Sequence, residues 1–306
     1  MKHTFRMTGI LAATTLSAAL FFTACKKEIG NSDDTVAVET QMALEDDAEA
    51  DVIYDDVFDN VLGVDEEVGL GAGIGVFGAA NLTDNEGGGI GTGSPNGPDS
   101  ASHCFTVTRV PDAPGVFPKK ITIDFGTGCT GRDGRTRRGK IITVYTGRMI
   151  VPGSEATTTF DGYYVDSVHV EGTHRVKNNS TASVRIFTRT VVNGKLSKPS
   201  GNYTQWNATH TNTQTAGLGT PALPLDDEFD ITGFAEGQNK RNTHILNWSR
   251  IIINPLHKKF TCRWFGSGTV RITRNANTGL LDFGNGDCDN KATLTIGGVT
   301  RTITLH

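Results

Sequence analysis

Ile121-Thr122-Ile123-Asp124-Phe125-Gly126-Thr127-Gly128-Cys129 alternates apolar and polar residues as far as Phe125, then breaks into glycines before a cysteine. A period of two belongs to a strand with one buried face, and the glycines permit the positive φ or bulge that turns such a strand. Near the other end of the chain the same sentence recurs as Leu281-Asp282-Phe283-Gly284-Asn285-Gly286-Asp287-Cys288. Upstream, Cys104 and Cys262 each open a strand followed by a turn, at nearly the same distance from the second cysteine. Folded as hairpins, the two units return each second cysteine to the level of the first, as a disulfide with Cα atoms about 5.5 Å apart requires. The expected pairs are Cys104 with Cys129 and Cys262 with Cys288, among the three pairings four cysteines allow. A four-cysteine zinc site is the competing reading, but it needs close thiolate pairs such as Cys-x-x-Cys, and the chain has none. The Asp-Phe-Gly triplets share only their spelling with the kinase magnesium motif, since the catalytic-loop and lysine elements are missing.

Between these units the pattern continues. Val168, Val170 and Val176 share one strand parity; Val184 and Ile186 begin another strand; Thr204, Trp206, Ala208 and His210 line a further one. Turn chemistry divides the strands at Pro111-Asp112-Ala113-Pro114-Gly115, Pro152-Gly153, Asn178-Asn179, Asn193-Gly194, Asn275-Ala276-Asn277-Thr278-Gly279 and Gly297-Gly298. The expected fold is all-β: an antiparallel meander of about a dozen strands forming an elongated twisted sheet, sandwich or roll. Abundant threonine and few long aliphatic runs argue for sheets with one wet face.

The net charge of −4 hides an asymmetry. Residues 31–70 hold 14 acidic residues and no Lys or Arg, whereas residues 71–306 hold 25 basic and 18 acidic ones. A basic body suits an anionic partner such as lipopolysaccharide or an acidic glycan; it also suits an acidic arm folded back on it, or simple solvation. Within the arm, Ile53, Val57, Phe58, Val61 and Leu62 recur at helical spacing opposite Asp51, Asp55, Asp56 and Asp59. This predicts an acidic amphipathic helix from about Thr40 to Leu62, stopped by Gly63. Such a helix is marginal alone in water, so its apolar stripe should dock, most economically on the chain's own β domain. Residues 69–98 contain 11 glycines and read as a tether with an r.m.s. span of about 30 Å. The run Gly71-Ala72-Gly73-Ile74-Gly75-Val76 is no dinucleotide loop, because it lacks a preceding strand and a spaced third glycine before a helix.

At the start, Lys2 and Arg6 precede an uncharged stretch from Met7 to Phe22, then Thr23-Ala24-Cys25. This is a signal-peptide layout, too short for a comfortable transmembrane helix. Phe22-Thr23-Ala24-Cys25 resembles the lipobox of bacterial lipoproteins, with Phe22 where Leu is usual. The resemblance implies cleavage before Cys25 and acylation of its thiol. Several acyl chains, at about 0.8 kcal/mol per buried methylene, would make the attachment effectively permanent. Lys26 after the cysteine resembles the outer-membrane sorting choice, and Lys26-Lys27-Glu28 with Asp33-Asp34 resembles surface-export signals of Bacteroidota. The expected organisation is a signal peptide over 1–24, an acidic arm over 25–68, the glycine tether over 69–98 and the β domain over 99–306.

After the first unit, the stretch from Gly131 to Lys140 packs five basic residues, Arg132, Arg135, Arg137, Arg138 and Lys140, into a glycine-punctuated loop. As arginine forks these could grip phosphate or carboxylate groups; as a plain hairpin loop their charges discourage edge aggregation. The lipobox, the acidic arm, Asp-Phe-Gly-x-Gly-Cys followed by these arginines, and the later Asp-Phe-Gly-Asn-Gly together look like a family of uncharacterised Bacteroidota lipoproteins. That resemblance implies an envelope address over nearly the whole mature chain and no particular activity.

The residues also yield no catalytic constellation. Gly266-Ser267-Gly268 lies in a β-rich run rather than at a strand-to-helix turn, and His169 and His174, five apart, point to opposite faces of a regular strand. Asp226-Asp227-Glu228 with Asp230 lacks the ligand ladder of a calcium loop and reads as a solvated turn. Trp206, Trp248 and Trp264 with Tyr163, Tyr164 and Tyr203 would serve either a sugar platform or ordinary cross-strand packing. The expectation is a lipid-anchored envelope protein, structural or binding rather than enzymatic. It should have no cofactor, metal or nucleic-acid partner; the alternatives are a binder of envelope glycan or lipopolysaccharide, and an enzyme whose site is assembled from distant residues and so is not visible in the sequence.

Overall fold

The computed structural model describes residues 104–113, 115–131, 134–220, 226–274 and 277–305, together with the helical positions 50, 53, 54, 57, 58 and 61. The strands are β1 (Thr106–Val110), β2 (Lys119–Asp124), β3 (Cys129–Thr130), β4 (Thr136–Tyr145), β5 (Glu155–Val165), β6 (Val168–Asn178) and β7 (Ile186–Ser197). They continue with β8 (Tyr203–Ala216), β9 (Glu228–Arg241), β10 (His244–Lys259), β11 (Phe265–Arg274), β12 (Asn277–Asn285), β13 (Lys291–Ile296) and β14 (Val299–Thr304). All join one twisted, unclosed sheet in sequence order, every pairing antiparallel, with the short β3 beside β4. The meander anticipated from the turn spacing is therefore an open twisted sheet rather than a sandwich. Its hairpins use the expected chemistry. Gly297 and Gly298, with φ of 57° and 82°, form the two-residue loop between Ile296 and Val299, the geometry of a type I′ turn.

Most strands send alternate residues to a buried inner face, where Val170, Val176, Phe187, Phe229, Ile231, Leu256, Ile272 and Leu281 gather. The helical residues Ala50, Ile53, Tyr54, Val57, Phe58 and Val61 are buried, and all but Val57 belong to this same core cluster. Phe58, 1% exposed, lies with its ring centroid 6.2 Å from Phe187 and 6.3 Å from both Phe229 and Phe260. Tyr145 Oη donates to the Val61 carbonyl at 3.2 Å. The apolar stripe of the acidic arm thus lies against the inner face, which supplies the docking that a lone helix lacks. Tyr54 and Ala50 complete the stripe. Leu62 falls outside the described residues.

Wrapping a sheet about a helix needs curvature, and breaks of register supply it. Shifts interrupt β4/β5, β5/β6, β6/β7, β7/β8, β9/β10, β10/β11 and β11/β12. Two sequence readings change here. Asn193-Gly194 is not a hairpin turn but a bulge inside β7, with Asn193 at φ 51°. Val184, 37% exposed, precedes β7, and Phe187 rather than Ile186 supplies that strand's core residue, because register is one residue out from the apparent alternation. At Gly139 the backbone has φ +78°, and an added Cβ would lie 2.0 Å from the Gly162 carbonyl oxygen. Gly153 has a similar φ of +87° with nothing within 4 Å. Gly153→Ala should therefore cost only about 1–2 kcal/mol of conformational energy. Gly139→Ala should cost clearly more, about 3 kcal/mol or above, because backbone must move. Denaturant midpoints of the two variants, compared side by side, check this.

Candidate functional site

The two cysteine units fold alike. Cys104 and Cys129 are bonded with Cα atoms 5.3 Å apart, Cys262 and Cys288 with Cα atoms 5.7 Å apart, at sequence separations of 25 and 26. In the first, the Asp124 carboxylate accepts from the Gly126 amide at 2.9 Å; in the second, Asp282 accepts from the Gly284 amide at 2.9 Å. In both Asp-Phe-Gly triplets the aspartate side chain thus holds the glycine amide and the phenylalanine is buried, the second triplet lying within β12. Phe125 packs on Phe105 at 5.5 Å and Phe283 on Phe265 at 5.2 Å, completing the correspondence.

The arginine stretch is arranged differently from the expected loop. Thr136 to Lys140 belong to β4, so successive side chains point to opposite faces. Arg137 is buried, at 5% exposure, and so is removed from any outward anion grip; Arg138 is exposed. Arg135 is half-buried, Lys140 is ion-paired with Asp124 at 3.0 Å, and Arg132, like Cys25, lies outside the described residues. The Gly126 amide first, and then this ion pair, hold Asp124 below the usual carboxylate range, and Lys140 is raised in return.

The inner face carries an unexpected polar group. His174 on β6, Arg189 on β7, His210 on β8 and Arg250 on β10 are all buried, and with Tyr54 and Trp206 they line a small cavity. Tyr54 roofs it. Its ring lies 5.9 Å from His174 and 4.9 Å from Trp206, and its hydroxyl donates to the Glu171 carbonyl at 2.6 Å. Burial, aided by Glu171, pushes that hydroxyl's pKa up, so it remains a donor. Arg250 Nη2 and His210 Nε2 are 3.0 Å apart; a guanidinium only donates, so Nε2 accepts and the ring is neutral. Burial first, then Arg250, Arg189 and His174, hold His210 well below its ordinary 6.5. Arg189 also lies over the Phe58 ring at 4.6 Å. These groups clamp the helix to the sheet. Parity had placed His210 with Trp206 and Ala208, and this is the buried set. His169 and His174 indeed take opposite faces.

The acidic run divides as well. Asp227 is buried instead of solvated, accepts from Gln214 Nε2 at 2.5 Å, and is pushed up to about 7, mainly by burial. Asp226 accepts from Thr220 at 2.5 Å. Glu228 and Asp230, both on β9, flank His257 at 3.1 and 2.9 Å, a pairing that only the β9/β10 register reveals. Among the described residues no group of three or more His, Cys, Asp or Glu side chains is placed to hold a metal ion.

These pKa shifts predict opposite pH slopes. An unfolded Asp227 ionises near 3.8 and the folded one near 7, so the native state holds the extra proton and stability falls as pH rises between them. For His210 the unfolded ring takes the proton first, so stability is full above about 6.5 and falls as pH drops below it. Asp227→Asn should remove the first slope and keep the second, as read from denaturation midpoints between pH 4 and 8.

The outer face holds a row of exposed and half-exposed polar side chains. Arg138, Tyr164 and His169 are direct cross-strand partners on β4, β5 and β6. The Arg138 guanidinium lies 3.6 Å from the Tyr164 ring centre, and Tyr164 and His169 stack at 4.4 Å. Further along, Lys195 and Lys240 flank Tyr203 at 5.3 and 6.0 Å. Of the other aromatics, Trp206, Trp248 and Tyr163 are buried, while Trp264 is half-exposed beneath Arg263 at 4.9 Å. No family model, curated protein or solved structure matches the chain.

Proposed function

We propose that this chain is a lipid-anchored protein of the outer membrane, periplasmic or surface-exposed, whose β domain is a non-catalytic structural or binding module. The observation that carries the reading is the pair of bonded cysteine hairpins, because such bridges persist in oxidising compartments outside the cytosol. Export is what the Met7–Phe22 stretch and Phe22-Thr23-Ala24-Cys25 imply independently. The docked helix supports a division of labour in which Cys25 serves as address and the sheet as body.

Replacing Cys25 by Ser tests this. The variant should leave the membrane fraction and lose incorporation of labelled palmitate, while the other four cysteines stay paired and the melting temperature is unchanged. Continued membrane attachment without label, or loss of folding, would overturn the assignment.

A second reading, an envelope glycan or lipopolysaccharide binder, is favoured by Arg138. Its guanidinium stands on the outer face beside Tyr164, so anion recognition would run through the sheet surface rather than through a loop.

A further inference from the structure

We propose that the outer-face row from β4 to β9 is a binding track for an extended acidic polysaccharide lying across the strands. The inference rests on the reading of the chain as an envelope binding domain and adds the ligand class and its path.

The register makes the row continuous. Arg138 pairs with Tyr164, Tyr164 with His169, His169 with Ser197, Ser197 with Tyr203 and Tyr203 with Lys240; one position along, Glu171 pairs with Lys195, Lys195 with Gln205 and Gln205 with Gln238. Six strands at about 4.8 Å spacing give a track of about 24 Å, enough for several sugar rings end to end.

Ring geometry decides what such a track can recognise. Tyr164 is flanked by Arg138 and His169, and Tyr203 by Lys195 and Lys240, so the tyrosine faces are taken by neighbours. Sugar stacking on those faces is therefore disfavoured. The rings instead support the charged side chains standing beside them, a contact that leaves a cation's donors available. Within the row Glu171 is the carboxylate, 3.6 Å from both His169 and Lys195. Arg138 and Lys240 thus place positive charge at the two ends, and Lys195 in the middle shares its charge with Glu171. Gln205 and Gln238, joined at 3.5 Å, with the Tyr203 hydroxyl 3.4 Å from Gln238, supply neutral donors and acceptors between them. Spaced cations with amides and hydroxyls between match a chain bearing carboxylates and hydroxyls in alternation.

The test uses detergent-solubilised full-length protein with polygalacturonate as the probe, neutral pullulan as the uncharged control and single-stranded DNA as the competing polyanion. Wild type should bind polygalacturonate, more weakly as salt rises, and a long chain better than a digalacturonate, with pullulan and DNA bound poorly. Substituting Arg138, Lys195 and Lys240 together by Gln should weaken binding about tenfold or more, since exposed charges add modestly. Substituting Arg175, Lys177 and Arg271, exposed on other strand positions, should leave it unchanged. If the first triple variant binds polygalacturonate as wild type does, the track is wrong while glycan binding stands. If wild type binds none of the probes, or DNA best, the ligand class itself is overturned. Unchanged melting of both triple variants excludes misfolding as the cause.

Discussion

Phe58→Ala is expected to lower the unfolding free energy by about 3–5 kcal/mol, a large share of what a domain possesses. The phenyl ring is the contact through which the helix meets Phe187, Phe229 and Phe260 at once, and Arg189 lies over its face. Truncation leaves a hole lined by three rings of the β domain, and neither the helix nor a sheet bent by its own bulges can readily close it. Beyond the loss in denaturant midpoint, Tyr54 should loosen, since only about one helical turn separates it from residue 58. Trp206, buried beneath Tyr54, should then meet water and shift its fluorescence. A midpoint within about 1 kcal/mol of wild type would mean that the helix contributes little to the body's stability.

The second large effect concerns the cysteine pairs. Cys129→Ser and Cys288→Ser should each cost about 3 kcal/mol, the chain-entropy value for loops of 25 and 26 residues. Their consequences should differ in place, though. The first bridge ties down the hairpin β1/β2, which is an end of the sheet, so its loss should raise amide exchange there and leave β8 to β10 protected. The second bridge spans the β11/β12 hairpin, which has β10 on one side and β13 on the other. Its removal should therefore loosen β11 to β14 together. Exchange measured strand by strand separates the two patterns; identical global loss in both variants would contradict it.

How much of this was legible in the sequence depends on whether one strand or two carry the information. The bridges were legible because Asp-Phe-Gly repeats before both Cys129 and Cys288, and the helix stripe because Ile53, Val57, Phe58 and Val61 lie within one local period. His210 was readable as a core position through its parity with Trp206 and Ala208. Arg137 was not, since a run of arginines between glycines has no apolar alternation to betray a strand. Asn193-Gly194 spells a turn as well as a bulge, and only the partner strand, where a Cβ added at Gly172 would lie 2.7 Å from the Asn193 carbonyl oxygen, decides. The ladder from Arg138 to Lys240 and the clasp of His257 by Glu228 and Asp230 join residues far apart in the chain. They follow from pairings of β4 through β10 that a single sequence leaves unstated.

The order of the elements has a mechanical side. The helix precedes every strand in the chain, and it is held by side-chain packing and a few hydrogen bonds such as Tyr54 to Glu171 and Tyr145 to Val61. Tension applied from the N-terminal side reaches that packing before it loads any ladder of the sheet. Dispersion contacts are short-ranged and give way within a small displacement. The helix is thus placed to yield first under traction, as a fuse, leaving the bridged sheet intact behind it.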